Sequence, residues 1–345
     1  MRPILAMKRS DRRPTAVDRE ALRERLVELI LGHDIELTGE EVSSRGDFDY
    51  EEARRLWRAL GFPDVSGEAA FGQSDVKALG SVRQAMDTGL LDEESIYRIT
   101  RALGRTMSRL ADWQVEALVE QIERDISAGR AKDRLERAVE LAERAAPGFE
   151  QLMLYSWRRH VAAAASRIEA FGTVDDDVHS TYLTVGFVDL SRFTSLSNDL
   201  DDDALGHLVE DFEDDCTDVV TDGGGRVIKT LGDAVLFVAD DPGKGARIAF
   251  SLIAHMSARD DLPNVKVGLA TGSVLSRMGD VFGPPVNLAS RLTTVARSNR
   301  LLVDEVTASQ LGEEFEKRTL PARSLRGFGL VSPITVSQRR AFRSS

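Results

Sequence analysis

Residues Tyr182–Leu190, with the sequence Tyr-Leu-Thr-Val-Gly-Phe-Val-Asp-Leu, decide the fold of the C-terminal half of the chain. This run is apolar, rich in Val and Phe, and short enough to predict a buried β-strand. A helical pattern follows it to Val220. Three glycines then precede a predicted strand over Arg226–Thr230, and a tight hairpin joins that strand to another over Ala234–Ala239.

The same alternation of strands and helices continues toward the C-terminus. The pattern predicts a helix over Gly245–Ala258, a strand over Asn264–Ala270, a helix over Pro284–Arg297 and a strand over Leu301–Asp304. The order β-α-β-β-α-β is typical of a ferredoxin-like sheet with helices on one face. We therefore expect an α+β fold for this half.

The N-terminal half has the periodicity of helices and no predicted strand before Thr181. Its clearest signal is the capping box Asp49–Glu52, which is followed by apolar residues at helical spacing. Pro147 and Gly148 predict a break before a last helix over Phe149–Ala170. The other predicted helices cover residues 16–31, 75–87, 92–126 and 132–145.

Length and charge limit the possible functions. A chain of 345 residues suggests about two domains. Its 45 basic and 57 acidic residues give a net charge of −12, which argues against non-specific binding to nucleic acid or anionic membranes. No apolar run approaches the roughly 18 residues of a membrane span, and the single Cys216 excludes an internal disulfide. We expect a cytoplasmic protein.

Two aspartates point to a metal site. Asp189 ends the first predicted strand, and Asp233 lies at the tip of the predicted hairpin. If those strands are neighbours, the two carboxylates meet at one edge of the sheet, where their repulsion favours a divalent cation between them. Oxygen ligands without His or Cys favour Mg²⁺ or Mn²⁺. The alternative for each residue is that it only ends a strand or forms a turn.

A polar pair is predicted on one helix face near the C-terminus. Pro284 and Pro285 suit the first turn of a helix, and Asn287 and Arg291 then lie four residues apart on one face. An amide and a guanidinium so placed can orient a ribose and neutralise a phosphoryl oxygen. Taken alone, the pair is equally typical of a solvated helix face.

Together these segments resemble the catalytic domain of class III nucleotidyl cyclases over roughly residues 180–340. The resemblance is carried by four segments in order, namely Val185–Thr194, Lys229–Asp233, Gly268–Gly272 and Gly283–Arg291. It implies an enzyme that converts ATP to 3′,5′-cyclic AMP and pyrophosphate by attack of the 3′-hydroxyl on the α-phosphate, assisted by two metal ions.

The resemblance also implies roles for individual residues. Asp189 and Asp233 would hold two Mg²⁺ or Mn²⁺ ions, and Asn287 and Arg291 would orient the ribose and stabilise the transition state. Lys229 and Asp280 would recognise adenine, which makes an adenylyl cyclase the first interpretation and a guanylyl cyclase the alternative. The candidates for triphosphate contacts are Arg277 and Arg326, with Phe328 where relatives often carry a lysine.

In this family the active sites are shared between subunits, so the resemblance implies a homodimer. The N-terminal half resembles the regulatory domain of actinobacterial adenylyl cyclases, through Tyr50–Val76. Together the two resemblances imply three segments, which are a helical regulatory domain over residues 1–148, a connecting helix and linker over 149–180, and a catalytic domain over 181–345. His160 and His179 are candidate triggers of a pH response.

Two further interpretations stay open. Tyr50–Val76 also resembles a MerR-type winged helix-turn-helix, which would make the chain a DNA-binding regulator with a nucleotide-sensing domain. The first half carries 27 basic and 31 acidic residues, a net charge of −4 that disfavours DNA binding. A catalytically silent cyclase-like scaffold is disfavoured because all six site positions carry the residue types of the family.

Overall fold

The structure is a computed structural model that describes residues 16–32, 34–63, 69–168, 180–277 and 279–339. The chain divides into two compact units, Met1–Gly172 and Thr173–Ser345. Within the described ranges, no helix combines the length and the apolar character that a membrane span needs.

The N-terminal unit is all-helical over its described residues, apart from one isolated bridge between Leu37 and Phe71. This confirms the predicted helical half. Its six helices are α1 (Ala16–Leu31), α2 (Gly39–Arg45), α3 (Tyr50–Leu60), α4 (Gln73–Asp87), α5 (Glu93–Ser127) and α6 (Arg134–Ile168).

Helix α3 is set by local sequence at both ends. The Asp49 side chain accepts a hydrogen bond from the Glu51 amide, a capping box closes the first turn, and Gly61 ends the helix at a φ of 88°. Its buried face includes Trp57, which stacks on Phe71 with ring centroids 4.5 Å apart. The short helix α2 was not predicted, although its own capping box at Thr38 marks its start.

The predicted break at Pro147 is wrong, because α6 runs without interruption from Arg134 to Ile168 with this proline inside. An interior proline removes one backbone donor and costs about 3 kcal/mol. Ion pairs of Arg19 with Asp133, which directly precedes α6, and of Arg25 with Glu143 within α6 tie α1 to this part of the chain.

The C-terminal unit is a mixed α+β domain. Its strands are β1 (Ser180–Leu190), β2 (Arg226–Thr230), β3 (Ala234–Ala239), β4 (Val265–Arg277), β5 (Asp280–Phe282), β6 (Arg300–Val303), β7 (Phe315–Thr319), β8 (Arg323–Leu325), β9 (Gly329–Val331) and β10 (Ile334–Gln338). Its helices are α7 (Phe193–Leu196), α8 (Asp202–Asp222), α9 (Pro242–Ser257), α10 (Pro284–Val295) and α11 (Glu305–Gln310).

The main sheet has the order β2-β3-β1-β4-β6-β10-β7, with β5 paired to β4. Its first four strands have the ferredoxin-like order and confirm the predicted fold class. Strand β1 is antiparallel to both β3 and β4, so it lies at the centre of this core. The parallel pair of β4 and β6 then extends the sheet beyond the ferredoxin-like part.

Helices cover both faces of the sheet. On one face, Val188 and Leu190 of β1 pack in a core cluster with Phe212 of α8 and Leu252 of α9. On the other face, the alternate β1 residues pack with Ala289 of α10. The prediction of helices on one face therefore fits α8 and α9 but is wrong for α10, whose buried residues fit against small residues of β4.

Candidate active site

The structure places Asp189 and Asp233 next to each other. Asp189 lies opposite Ala234 in the β1–β3 register, and the Leu190 amide donates a 2.9 Å hydrogen bond to the Asp233 carbonyl oxygen. Burial raises the pKa of Asp189, and the neighbouring Asp233 carboxylate raises it further. The end of β1 and the β2–β3 hairpin thus form a two-carboxylate cluster, as the strand order predicts.

Lys266 belongs to the same cluster and was missed in the sequence. It lies directly opposite Asp189 in the β1–β4 register, and its Nζ donates a 2.9 Å hydrogen bond to Asp189 Oδ2. About a fifth of each side chain is exposed, and the ammonium opposes the effect of burial on the pKa of Asp189. Only the register of two strands far apart in sequence reveals this cation.

The donor set at this cluster fits a hard divalent cation. Among the described residues there is no group of three or more His, Cys, Asp or Glu side chains that could hold a metal ion. Two carboxylates are nevertheless sufficient for Mg²⁺, which keeps several waters and is completed by substrate phosphates rather than by a protein cage. Asp189 and Asp233 therefore suit a metal that arrives with a phosphorylated substrate.

Lys229 and Asp280 form a direct ion pair. The Lys229 Nζ donates to Asp280 Oδ2 at 2.6 Å, with 38% of the lysine side chain and 28% of the aspartate side chain exposed. A β-bulge between Val227 and Lys229 shifts the register of β2 against β3, and such bulges redirect side chains. Asp280 begins β5, and its other oxygen accepts from the Val281 amide at 2.8 Å.

Gly283 directly precedes helix α10 and has a φ of 137°, which favours glycine, and the first turn of the helix contains two prolines. Asn287 is exposed and Arg291 is half-buried, both on the face turned away from the sheet. They line a groove of about 630 Å³ together with Arg326 and Phe328 of the β8–β9 turn. The full lining of this groove is Pro284, Asn287, Arg291, Arg326, Gly327 and Phe328.

The remaining candidates lie elsewhere. Arg277 is exposed at the end of β4 and faces Asp280 in the β4–β5 hairpin register, outside the groove lining. His160 is an exposed residue of α6, whereas His179 lies outside the described residues. Asp189 and Asp233 do not line the groove of Asn287 and Arg291, so one chain presents the carboxylate pair and the groove as separate features.

Known proteins resemble the chain over both halves. The profile of the adenylate and guanylate cyclase catalytic domain matches residues 178–335. An adenylate cyclase of Streptomyces coelicolor is 36% identical over 343 residues, which cover 91% of this chain and 89% of that enzyme. An adenylate cyclase of Streptomyces griseus is 39% identical over 287 residues, which cover 83% of this chain and 71% of that enzyme.

The crystal structure of the adenylyl cyclase CyaB from P. aeruginosa aligns with 47% of this chain and 96% of its own, at 22% identity and a TM-score of 0.43. The membership of the chain rests on the Streptomyces relatives, whose similarity extends through both units. The chain belongs to the family of adenylate and guanylate cyclases.

Proposed function

We propose that the protein is an adenylate cyclase that converts ATP to 3′,5′-cyclic AMP and pyrophosphate. The observation that carries the proposal is the Lys229–Asp280 ion pair, which sets a hydrogen-bond donor and an acceptor side by side. Adenine offers an acceptor at N1 and a donor at its exocyclic amine, so Lys229 and Asp280 match it. The Streptomyces adenylate cyclases support the same assignment.

The same pair disfavours GTP. Guanine has a donor at N1 and an acceptor at O6, so both contacts would place like groups against each other. Polar groups left unpaired in a binding site can reduce the use of the wrong substrate by about 10⁴-fold. The exposure of Lys229 and Asp280 reduces this discrimination, because water can satisfy part of the mismatch.

Asp189 and Asp233 are the residues that would hold the catalytic metals, which we take to be two Mg²⁺ or Mn²⁺ ions per site. When bound, such ions supply Lewis-acid activation of the 3′-hydroxyl and of the α-phosphoryl oxygen. The two carboxylates would position the ions at the end of β1. Lys266 offsets their charge before substrate binds, because its ammonium donates to Asp189.

Asn287 and Arg291 act on the reacting part of ATP. Asn287 orients the ribose, and the Arg291 guanidinium offsets the negative charge that develops on the α-phosphoryl group, as an arginine does in other phosphoryl transfers. Arg326 lines the same groove and is the better supported of the two candidate phosphate contacts. Arg277, which lies outside that lining, is the weaker one.

We further propose that the active enzyme is a homodimer with two shared sites. The metal carboxylates and the groove of Asn287 and Arg291 are separate on one chain, and a two-fold arrangement can bring the metal pair of one subunit to the groove of its partner. A monomer would then have two half-sites and no complete one. The helical domain predicted over residues 1–148, with a predicted connecting helix and linker over 149–180, is proposed to regulate this assembly.

The test is cyclase activity of the purified full chain with ATP or GTP and Mg²⁺ or Mn²⁺. We expect cyclic AMP and pyrophosphate in equal amounts, loss of activity with a chelator, and little cyclic GMP. Comparable turnover of GTP would contradict the adenine assignment. Regulation is tested separately, since a chain beginning near Phe171 should lose any pH response that the full chain shows, and the His179→Ala variant should weaken it.

A further inference from the structure

Helix α10 packs closely against two glycines of strand β4. The β4 residues that face the helix are Gly268, Ala270 and Gly272, which alternate with larger residues that face the opposite core. Four buried residues of α10 pack on this side, and Asn287 and Arg291 lie on the other side of the helix. The position of the two site residues is therefore determined by how closely the helix can approach the strand.

The first close approach is at Gly268. A Cβ atom at this position would lie 2.5 Å from the Ala289 carbonyl oxygen, the Thr293 amide nitrogen and the Thr293 hydroxyl oxygen. Two of these three atoms are helix backbone, which cannot move away without moving α10. The Thr293 hydroxyl is in addition bonded to the Ala289 carbonyl oxygen at 2.9 Å, so it is fixed as well.

The second close approach is at Gly272, next to the start of the helix. A Cβ atom there would lie 2.9 Å from Cγ of Pro285, a buried residue of the first turn. Because the proline ring is closed onto the backbone, its Cγ can move only by a change of ring pucker or together with the first turn of α10. Gly268 contacts the later part of α10 and Gly272 its first turn, so the two glycines fix the helix at two points along its axis.

We propose that Gly268 and Gly272 are positioning residues for catalysis, because they set the distance of α10 from the sheet and thereby the positions of Asn287 and Arg291. The inference rests on the proposed cyclase function and assigns a role to the strand beneath the site. Neither glycine touches substrate. Their effect is transmitted through Pro285 and Thr293 to the groove face of the helix.

The expected effect is on turnover rather than on substrate binding. The methyl group of Gly272→Ala must move Pro285 outward by several tenths of an ångström to reach an ordinary contact distance. A misplacement of about 1 Å in a catalytic group can cost about 10²-fold. We expect kcat to fall by about tenfold or more, and KM for ATP to change by less than about threefold, because Lys229 and Asp280 are not on α10.

The experiment compares four full-length variants with wild type in kcat, KM and melting temperature. Gly272→Ala is the test, and Gly245→Ala is the matched control, since its Cβ would lie 2.9 Å from a Thr184 methyl group beneath α9 on the opposite face. The third variant is Pro285→Ala, which removes the ring that Gly272→Ala would strike. The fourth combines Gly272→Ala with Pro285→Ala.

We expect a low kcat for Gly272→Ala, a nearly normal kcat for Gly245→Ala, and recovery of most of the kcat in the double variant. A loss of kcat through general destabilisation would instead follow the melting temperature, which is compared between Gly272→Ala and Gly245→Ala. Unchanged kcat in Gly272→Ala, an equal loss in Gly245→Ala, or a double variant no better than Gly272→Ala would each overturn the inference. A wild-type chain that makes no cyclic AMP would overturn the proposed function and this inference together.

Discussion

The Lys229→Met substitution tests whether Lys229 recognises adenine. The substitution removes the ammonium that donates to Asp280 at 2.6 Å but keeps an unbranched apolar side chain of similar length. We therefore expect little change in the packing of β2. The adenine contact is lost, and Asp280 is left without its cationic neighbour.

The expected loss of kcat/KM for ATP follows from the kind of contact that is removed. A hydrogen bond to a charged group contributes about 1.5–3 kcal/mol, which corresponds to about 10- to 150-fold in kcat/KM for ATP. We expect the lower part of this range, because 38% of the Lys229 side chain is exposed and solvent weakens the contact. GTP loses no favourable contact with Lys229, so the preference for ATP over GTP should fall by about tenfold or more.

The assay measures kcat/KM for both nucleotides in Lys229→Met and in the control Lys244→Met. Lys244 also donates to an aspartate, Asp240, at 2.8 Å, but it lies in the first turn of α9. The control variant should keep the preference for ATP. An unchanged ratio of ATP to GTP use in Lys229→Met would refute the assignment of Lys229 to adenine.

Three further predictions concern stability and reactivity. Phe212→Ala should destabilise the C-terminal unit by about 3–5 kcal/mol in urea unfolding, because this ring is fully buried; a loss below about 1 kcal/mol would contradict that packing. Asp125, bonded to Arg130 and Arg137, has a pKa lowered to about 2, so its stabilisation is complete above about pH 4 and is lost as the pH falls toward 2. Asp125→Asn should therefore lower the melting temperature at pH 7, with a difference from wild type that shrinks in acid; an equal difference at both pH values would be inconsistent with this. The thiol of Cys216 is buried and its pKa is raised, so it should react with a thiol reagent only after unfolding, and rapid labelling of the native chain would count against its burial.

Local signals predicted most of the secondary structure. The capping box at Asp49 and the apolar run ending at Asp189 each depend on neighbouring residues, and both elements have the predicted type. The prediction at Pro147 was wrong because an interior proline costs free energy only in its own turn. A helix as long as α6 can continue on both sides of it. The side of the sheet that α10 covers was also predicted wrongly, since it depends on contacts between β4 and α10 rather than on periodicity.

The candidate site shows the same contrast between features that local sequence predicts and contacts between residues far apart in the chain. Asp189 and Asp233 were predicted to meet because strand order follows from the order of the elements, and the register places them together. Lys266 was missed because its contact with Asp189 joins residues 77 positions apart. The roles of the named site residues, the domain bounds at 148 and 180, and the pH response of His179 stay predictions.

An active site shared between two subunits is tested most directly by complementation between two inactive variants. Asp189→Ala removes a proposed metal ligand and Arg291→Ala removes the proposed transition-state cation, so each variant alone should be inactive. In a mixture, about half of the dimers contain one chain of each kind, and each mixed dimer has one intact site of two. We predict recovery of about a quarter of the wild-type cyclic AMP production. No recovery, in a mixture in which differently tagged chains are shown to co-purify, would contradict a site shared between subunits.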